Sequence, residues 1–203
     1  IEDHTYYQLE AKPFHLNYEE TKNRVRYLLD KAIVRQMVSD VGLSTLLSGG
    51  LDSSIISTIV AKNKEKLDTY SISYEKSEFK ENAFERSKDS DFTHLVSDAI
   101  GSVQHDIVTD NKTLVEGLRK VVLMRDTPGM TDIDSSMYYL TEAIRKDHAL
   151  SMSGECSDEI FAGYPWFFRD DALKSNTFPW SIAISERQNL LNSDISSKVN
   201  LKD

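Results

Sequence analysis

The string Ser48-Gly49-Gly50-Leu51-Asp52-Ser53-Ser54 constrains the fold of this chain more than any other feature, because of what flanks it. An apolar run at 43–47 precedes it, and 53–64 follows with Ile55, Ile56, Ile59 and Val60 at helical spacing. Strand, tight turn, helix is the reading, and a parallel sheet places its ligand at the carboxyl end of such a strand. Two glycines let the backbone close around an anion with its N–H groups turned inward. The helix start adds free donors and the positive end of a dipole, and Ser48, Ser53 and Ser54 add hydroxyls. Asp52 would repel a bound phosphate unless a divalent cation lay between them, and magnesium suits a carboxylate plus phosphate oxygens. A plain turn, with glycines bending the chain and Ser or Asp capping the helix, accounts for any two of these residues but poorly for the whole string.

The same alternation continues downstream. Strands are expected at 69–74, 103–108 and 149–152, and helices at 91–100, 113–124 and 134–146, with a polar loop at 75–90 and another around Pro128-Gly129. Strands separated by helices imply an α/β fold with a mostly parallel sheet and helices on both faces. Upstream, Val25, Leu28, Leu29, Ala32, Ile33 and Met37 predict a helix over 17–40, with Asn17 as N-cap and Glu20 at the capping-box position. Residues 6–16, around Pro13, read as an extended arm. The pattern fades beyond Gly163, and the chain begins with Ile1 in place of Met, so the expectation is one truncated domain of a longer protein.

Charge narrows the partners. With 24 Lys+Arg against 33 Asp+Glu the net charge is −9, which argues against a nucleic-acid or anionic-membrane surface. Any phosphate must therefore be held locally. The single cysteine, Cys156, excludes a disulfide within the chain, matches a cytoplasmic protein, and is expected to be small and buried. His4, His15, His94, His105 and His148 have no ligand spacing, so no zinc site is expected. Neither a Walker loop nor GxSxG is present, which argues against a kinase-like P-loop and an α/β-hydrolase.

A second string, Ser151-Met152-Ser153-Gly154-Glu155-Cys156-Ser157-Asp158-Glu159-Ile160-Phe161-Ala162-Gly163-Tyr164, also follows a short strand. In a parallel sheet that strand end can sit beside the first loop, so that two acidic clusters, Asp52 in one and Glu155 and Asp158 in the other, face one triphosphate and share a metal ion. Glu159 reads instead as an acid satisfying a helix dipole.

The first string resembles the pyrophosphate-binding loop of the N-type ATP pyrophosphatases, of adenine nucleotide alpha hydrolase-like fold. Both strings together resemble the synthetase domain of glutamine-hydrolysing asparagine synthetases. That resemblance implies ATP-dependent amidation of L-aspartate by ammonia through β-aspartyl-AMP, releasing AMP and pyrophosphate, with ATP and Mg2+ bound. It implies ATP contacts at Leu47, Ser48, Gly49, Gly50, Asp52, Ser53, Ser54, Ile72, Ser153 and Gly154, metal contacts at Asp52 and Asp158, and assistance to ammonia attack by Glu155. The segment from Met130 to Ser136 occupies the family's amino-acid-recognising region, without the Thr-Thr-x-Arg pattern common there. The alternative is that Asp132, Asp134 or Ser135 caps the following helix. Cys156 and Ala162 stand where the family often has glycine.

By the same likeness, residues 1–17 form an arm from a missing glutaminase domain, 18–203 form part of the synthetase domain, and a homodimer is among the assemblies allowed. A β-lactam synthetase-like enzyme and a non-catalytic nucleotide-binding or assembly module are the competing readings.

Overall fold

The computed structural model describes residues 3–8, 10, 12–75, 90–127, 129, 131–178, 181–182 and 184–199. Two compact units make up the chain, Ile1–Asp40 and Val41–Asp203. The first holds α1, Tyr18–Gln36, opened by the expected capping box: the Asn17 side chain accepts from the Glu20 N–H, and Glu20 accepts from the Asn17 N–H, each at 3.0 Å. The helix stops short of Asp40 because the Met37 N–H turns back to the Val34 carbonyl, a tighter closing turn.

In the second unit β1 (Leu43–Leu46), α2 (Leu51–Lys62), β2 (Asp68–Tyr74), α3 (Ser90–Ile100), β3 (Val103–Thr109), α4 (Asn111–Arg125), α5 (Thr131–Ile144) and β4 (Leu150–Met152) follow in order. Short helical pieces complete it: α6 (Ser157–Phe161), a 3-10 turn (Pro165–Phe167), α7 (Asp170–Leu173), α8 (Ile184–Gln188) and α9 (Ser193–Ser196). Most of the expected 75–90 loop lies outside the described residues, as do Pro128, Met130 and Trp180. Among the described residues no helix is long and apolar enough to cross a membrane.

The four strands are all parallel, in the order β3-β2-β1-β4. From β1 the chain steps outward twice, to β2 and β3, then returns to the far side of β1. Right-handed crossovers place helices of the outward steps on one face and those of the return on the other. Side chains agree with that division. On one face Thr45 shares a hydroxyl hydrogen bond with Ser57 of α2 (2.8 Å), and Asp106 pairs with His94 of α3 (2.9 Å). On the opposite face Tyr70 forms a buried cluster with Leu140 and Ile144 of α5, with Leu46, Ile72, Ile107 and Met137 packed against it.

The two faces differ in chemistry. Thr45, Thr69, Ser71, Gln104 and Asp106 give the α2–α3 side a seam of hydrogen-bonded polar side chains, while the α5 side carries the apolar residues. Strand alternation rather than a continuous apolar run is thus how this sheet covers both faces. At the amino ends of the strands, Asp68 bridges His105 (2.7 Å) and His148 (3.2 Å). His105, the third residue of β3, stacks on Tyr70.

Candidate functional site

The change of direction between β1's two neighbours makes the gap between β1 and β4 the switch point of this sheet, where a parallel α/β fold opens a crevice at the strand carboxyl ends. Both strings empty into it. Leu43, Ser44 and Thr45 align with Leu150, Ser151 and Met152, so the chain after β4 runs alongside the chain after β1.

The first loop is held by its own hydroxyls. Leu47 continues β1 by donating its N–H to the Tyr70 carbonyl (2.8 Å) and is fully buried, a floor under the loop with no exposed surface for a base. Gly49 takes φ 92°, the left-handed turn that favours glycine. Gly50 then serves as N-cap of α2 without a side chain to cap it, which leaves first-turn N–H groups for an anion. This starts α2 two residues before the expected Ser53 and brings Asp52 into its first turn.

Ser53 is buried. Its Oγ donates to the Gly50 carbonyl (3.1 Å), accepts from the Ser48 N–H (3.2 Å) and lies 3.0 Å from Ser48 Oγ. Ser54 Oγ donates to the same carbonyl at 2.7 Å. All three serines therefore brace the loop, and Ser48, the most exposed of them, also accepts from the Gly50 N–H.

The second loop reaches the first through Gly154. A Cβ on Gly154 would stand 2.9 Å from Asp52 Cβ, 3.2 Å from the Ser53 nitrogen and 3.3 Å from the Asp52 carbonyl carbon. Four residues on, Asp158 lies in α6 near enough to Asp52 to act on its charge. Burial, and then repulsion from Asp158, hold the Asp52 carboxyl above the ordinary aspartate range, although a helix N-terminus favours the charged form. Two carboxylates brought together without a cation repel in this way, and magnesium bound by one or two carboxylates, phosphate oxygens and water fits them. Among the described residues no group of three or more His, Cys, Asp or Glu side chains forms a metal cage, so the remaining ligands of such an ion would come from substrate and solvent.

Other expected site residues take varied positions. Ser153 and Gly154 are partly buried at the loop and Glu155 is exposed beside them. Ile72 packs toward the Tyr70–Leu140–Ile144 cluster. Glu159 accepts a hydrogen bond from the Tyr164 hydroxyl (3.1 Å), which pushes that phenol's pKa up. Cys156 is exposed, against the expectation of burial, and occupies the left-handed turn into α6 (φ 69°); Ala162 closes the same helix at φ 56°. These are the two positions where the resembling family often carries glycine, and the backbone gives the reason.

In the 131–136 segment the helix begins at Thr131, so Asp134 and Ser135 are interior residues and not its caps. They hold α5 in place: Asp134 pairs with Arg125 at 2.7 Å, Ser135 Oγ donates to the Leu114 carbonyl at 2.9 Å, and Ser136 meets the Tyr74 hydroxyl at 2.9 Å. Sequence reasoning gave no role to Thr45, Ser57 or Gly163. The apolar run read at 43–47 carries no sign that Thr45 faces a helix.

Fold and site together define a parallel α/β protein in which two glycine-containing loops bring Asp52 and Asp158 to its switch point. Comparison with known proteins makes the class specific: the family model for asparagine synthase matches residues 24–203, and the chain belongs to that family. It is 42% identical to asparagine synthetase [glutamine-hydrolyzing] 3 of Bacillus subtilis over 98% of this chain and 33% of that protein. It is 32% identical to the Mus musculus asparagine synthetase [glutamine-hydrolyzing] over 74% of this chain and 27% of that protein. The chain thus spans about a third or less of the length of these relatives. Among solved structures, the NH3-dependent NAD synthetase of Campylobacter jejuni overlays 93% of both chains at 10% identity with a TM-score of 0.37, too distant a likeness to bear on function.

Proposed function

We propose that this chain is the nucleotide-binding part of an enzyme that uses ATP to convert L-aspartate to L-asparagine, with residues 1–17 an arm from a glutaminase domain that supplies ammonia. The observation carrying this reading is the meeting of the two loops at the switch point, where Gly154 packs on Asp52 and Asp158 bears on the same carboxylate. Family membership and the glutamine-hydrolysing relatives support the substrate assignment. A cytoplasmic location fits a chain whose one cysteine has no partner within it.

The chemistry needs two steps. An oxygen of the aspartate side-chain carboxylate bonds to the α-phosphorus of ATP, and the bond from that phosphorus to the bridging oxygen breaks to release pyrophosphate. The α2 N-terminus and the Gly49-Gly50 backbone orient the departing phosphates and offset their charge. Magnesium, held by Asp52 and Asp158, would supply charge neutralisation between carboxylates and phosphates. Ammonia nitrogen then bonds to the acyl carbon of β-aspartyl-AMP, AMP leaves, and the nitrogen loses a proton. Glu155, exposed at the mouth of the second loop, is the base that takes it. Ser53 and Ser54 serve by bracing the loop.

Calorimetric titration with a non-hydrolysable ATP analogue tests the reading. Magnesium-dependent binding by the wild-type chain that Asp52→Asn weakens at least about tenfold is the expected result. A folded wild-type chain that binds no analogue with magnesium would refute it and leave an assembly module that binds no nucleotide.

A further inference from the structure

Gly154 and Gly163 differ from the glycines that shape turns. Neither has positive φ, unlike Gly49 and Gly101, so no backbone conformation requires glycine at either place. What requires it is space, and in both cases the neighbour is one of the paired acids. A Cβ at Gly154 would press on the Asp52 Cβ and on the rigid peptide that joins Asp52 to Ser53. Gly163 lies against Asp158: its N–H donates to the Asp158 carbonyl at 3.0 Å, and a Cβ there would fall on the Asp158 Oδ1.

We infer that Gly154 and Gly163 are positioning residues that set the separation and aim of the Asp52 and Asp158 carboxylates, and through them the affinity for the divalent cation that accompanies ATP. The inference rests on the proposed function. The two contacts work differently. At Gly154 the obstacle is backbone and Cβ, which yield only if the loops part, so an added methyl moves Asp52 away and loosens packing together. At Gly163 the main obstacle is the tip of a side chain that can rotate. An added methyl there redirects the Asp158 carboxylate while costing the fold less. Magnesium demands near-ideal octahedral geometry, so either displacement weakens it.

Gly117 provides a matched control from outside the site. A Cβ there would stand 2.9 Å from the Tyr139 ring and 3.0 Å from Ser135 Oγ, where α4 meets α5. Gly117→Ala therefore brings contacts as short as those of Gly154→Ala, here with packed side chains, without touching either acid.

The experiment measures, on the 203-residue chain, the magnesium concentration giving half-maximal binding of a non-hydrolysable ATP analogue, and separately the melting temperature without ligand. Gly163→Ala should raise the magnesium requirement about 10-fold or more and lower melting less than Gly154→Ala. Gly154→Ala should raise the requirement similarly and lower melting clearly. Gly117→Ala should lower melting and leave the magnesium requirement within about twofold of wild type.

A Gly163→Ala protein with the wild-type requirement overturns the inference for Gly163. A Gly154→Ala protein that melts early with an unchanged requirement groups Gly154 with Gly117 and overturns its part. If Gly154→Ala does not fold, Gly163→Ala decides alone. Wild-type chain that binds no analogue with magnesium is a separate result, which removes the proposed function and this inference with it.

Discussion

Replacing Cys156 and Ala162 together by glycine should stabilise the chain, and the size of the gain can be worked from the backbone. Both residues are exposed and left-handed, at φ 69°, ψ 6° and φ 56°, ψ 42°, on either side of the five-residue α6 that carries Asp158. A side chain in that conformation costs roughly 1–2 kcal/mol per residue. Glycine removes the cost but loosens the unfolded chain by about 0.4–1 kcal/mol. The net gain is about 0.5–1 kcal/mol per site, or about 1–2 kcal/mol for the pair at independent positions. For a domain of this size that raises melting by roughly 2–8 °C. Because both side chains are exposed, little packing is lost on truncation. Thermal unfolding by circular dichroism, with single and double variants side by side, reads the effect. A double variant that melts at or below wild type would refute the argument that these two residues are strained.

Asp52→Asn should change the pH dependence of stability. Its carboxyl is raised by burial and by Asp158, so the folded state holds the proton more tightly than the unfolded chain. Its contribution is most favourable below the ordinary aspartate value and is lost as pH climbs through the raised one; the variant's stability relative to wild type should therefore grow across that window. Melting curves from pH 3 to pH 7 check this, and a flat or falling difference contradicts it. Thr45→Val, which leaves the buried Ser57 hydroxyl without its 2.8 Å partner, should cost about 1–3 kcal/mol in denaturant titration, whereas the double change with Ser57→Ala should recover part of it. Asn17→Ala removes the capping box of α1 and should cost that helix about 1 kcal/mol, read as faster amide exchange in its first turns.

Much of this protein is legible in its sequence. The alternation of apolar runs and helical spacing located the four strands and the helices between them within a few residues, because local periodicity is set by which side of each element faces the core. The capping box at Asn17 and the Gly49-Gly50 turn are equally local: each follows from side chains and backbone within four residues of one another. Helix starts were less legible, since Gly50 caps α2 with no side chain and Asp134 looks like a cap until Arg125 of another helix claims it.

What the linear order could not contain is which strand ends meet. The first and second strings are separated by about a hundred residues, and only the return of the chain to the far side of β1 places β4 beside it. That topology brings the charge of Asp158 to bear on Asp52 and sets Gly154 beside Asp52, while the contact of Gly163 with Asp158 is made locally, within five residues. Strand pairing also decides that Leu47, whose N–H reaches the Tyr70 carbonyl, is sealed in the core. The residue types that phosphate and metal chemistry require can be read from a short string, because they are a matter of composition and spacing. Their distances, burial and charge coupling belong to the fold, since each depends on atoms contributed by distant parts of the chain.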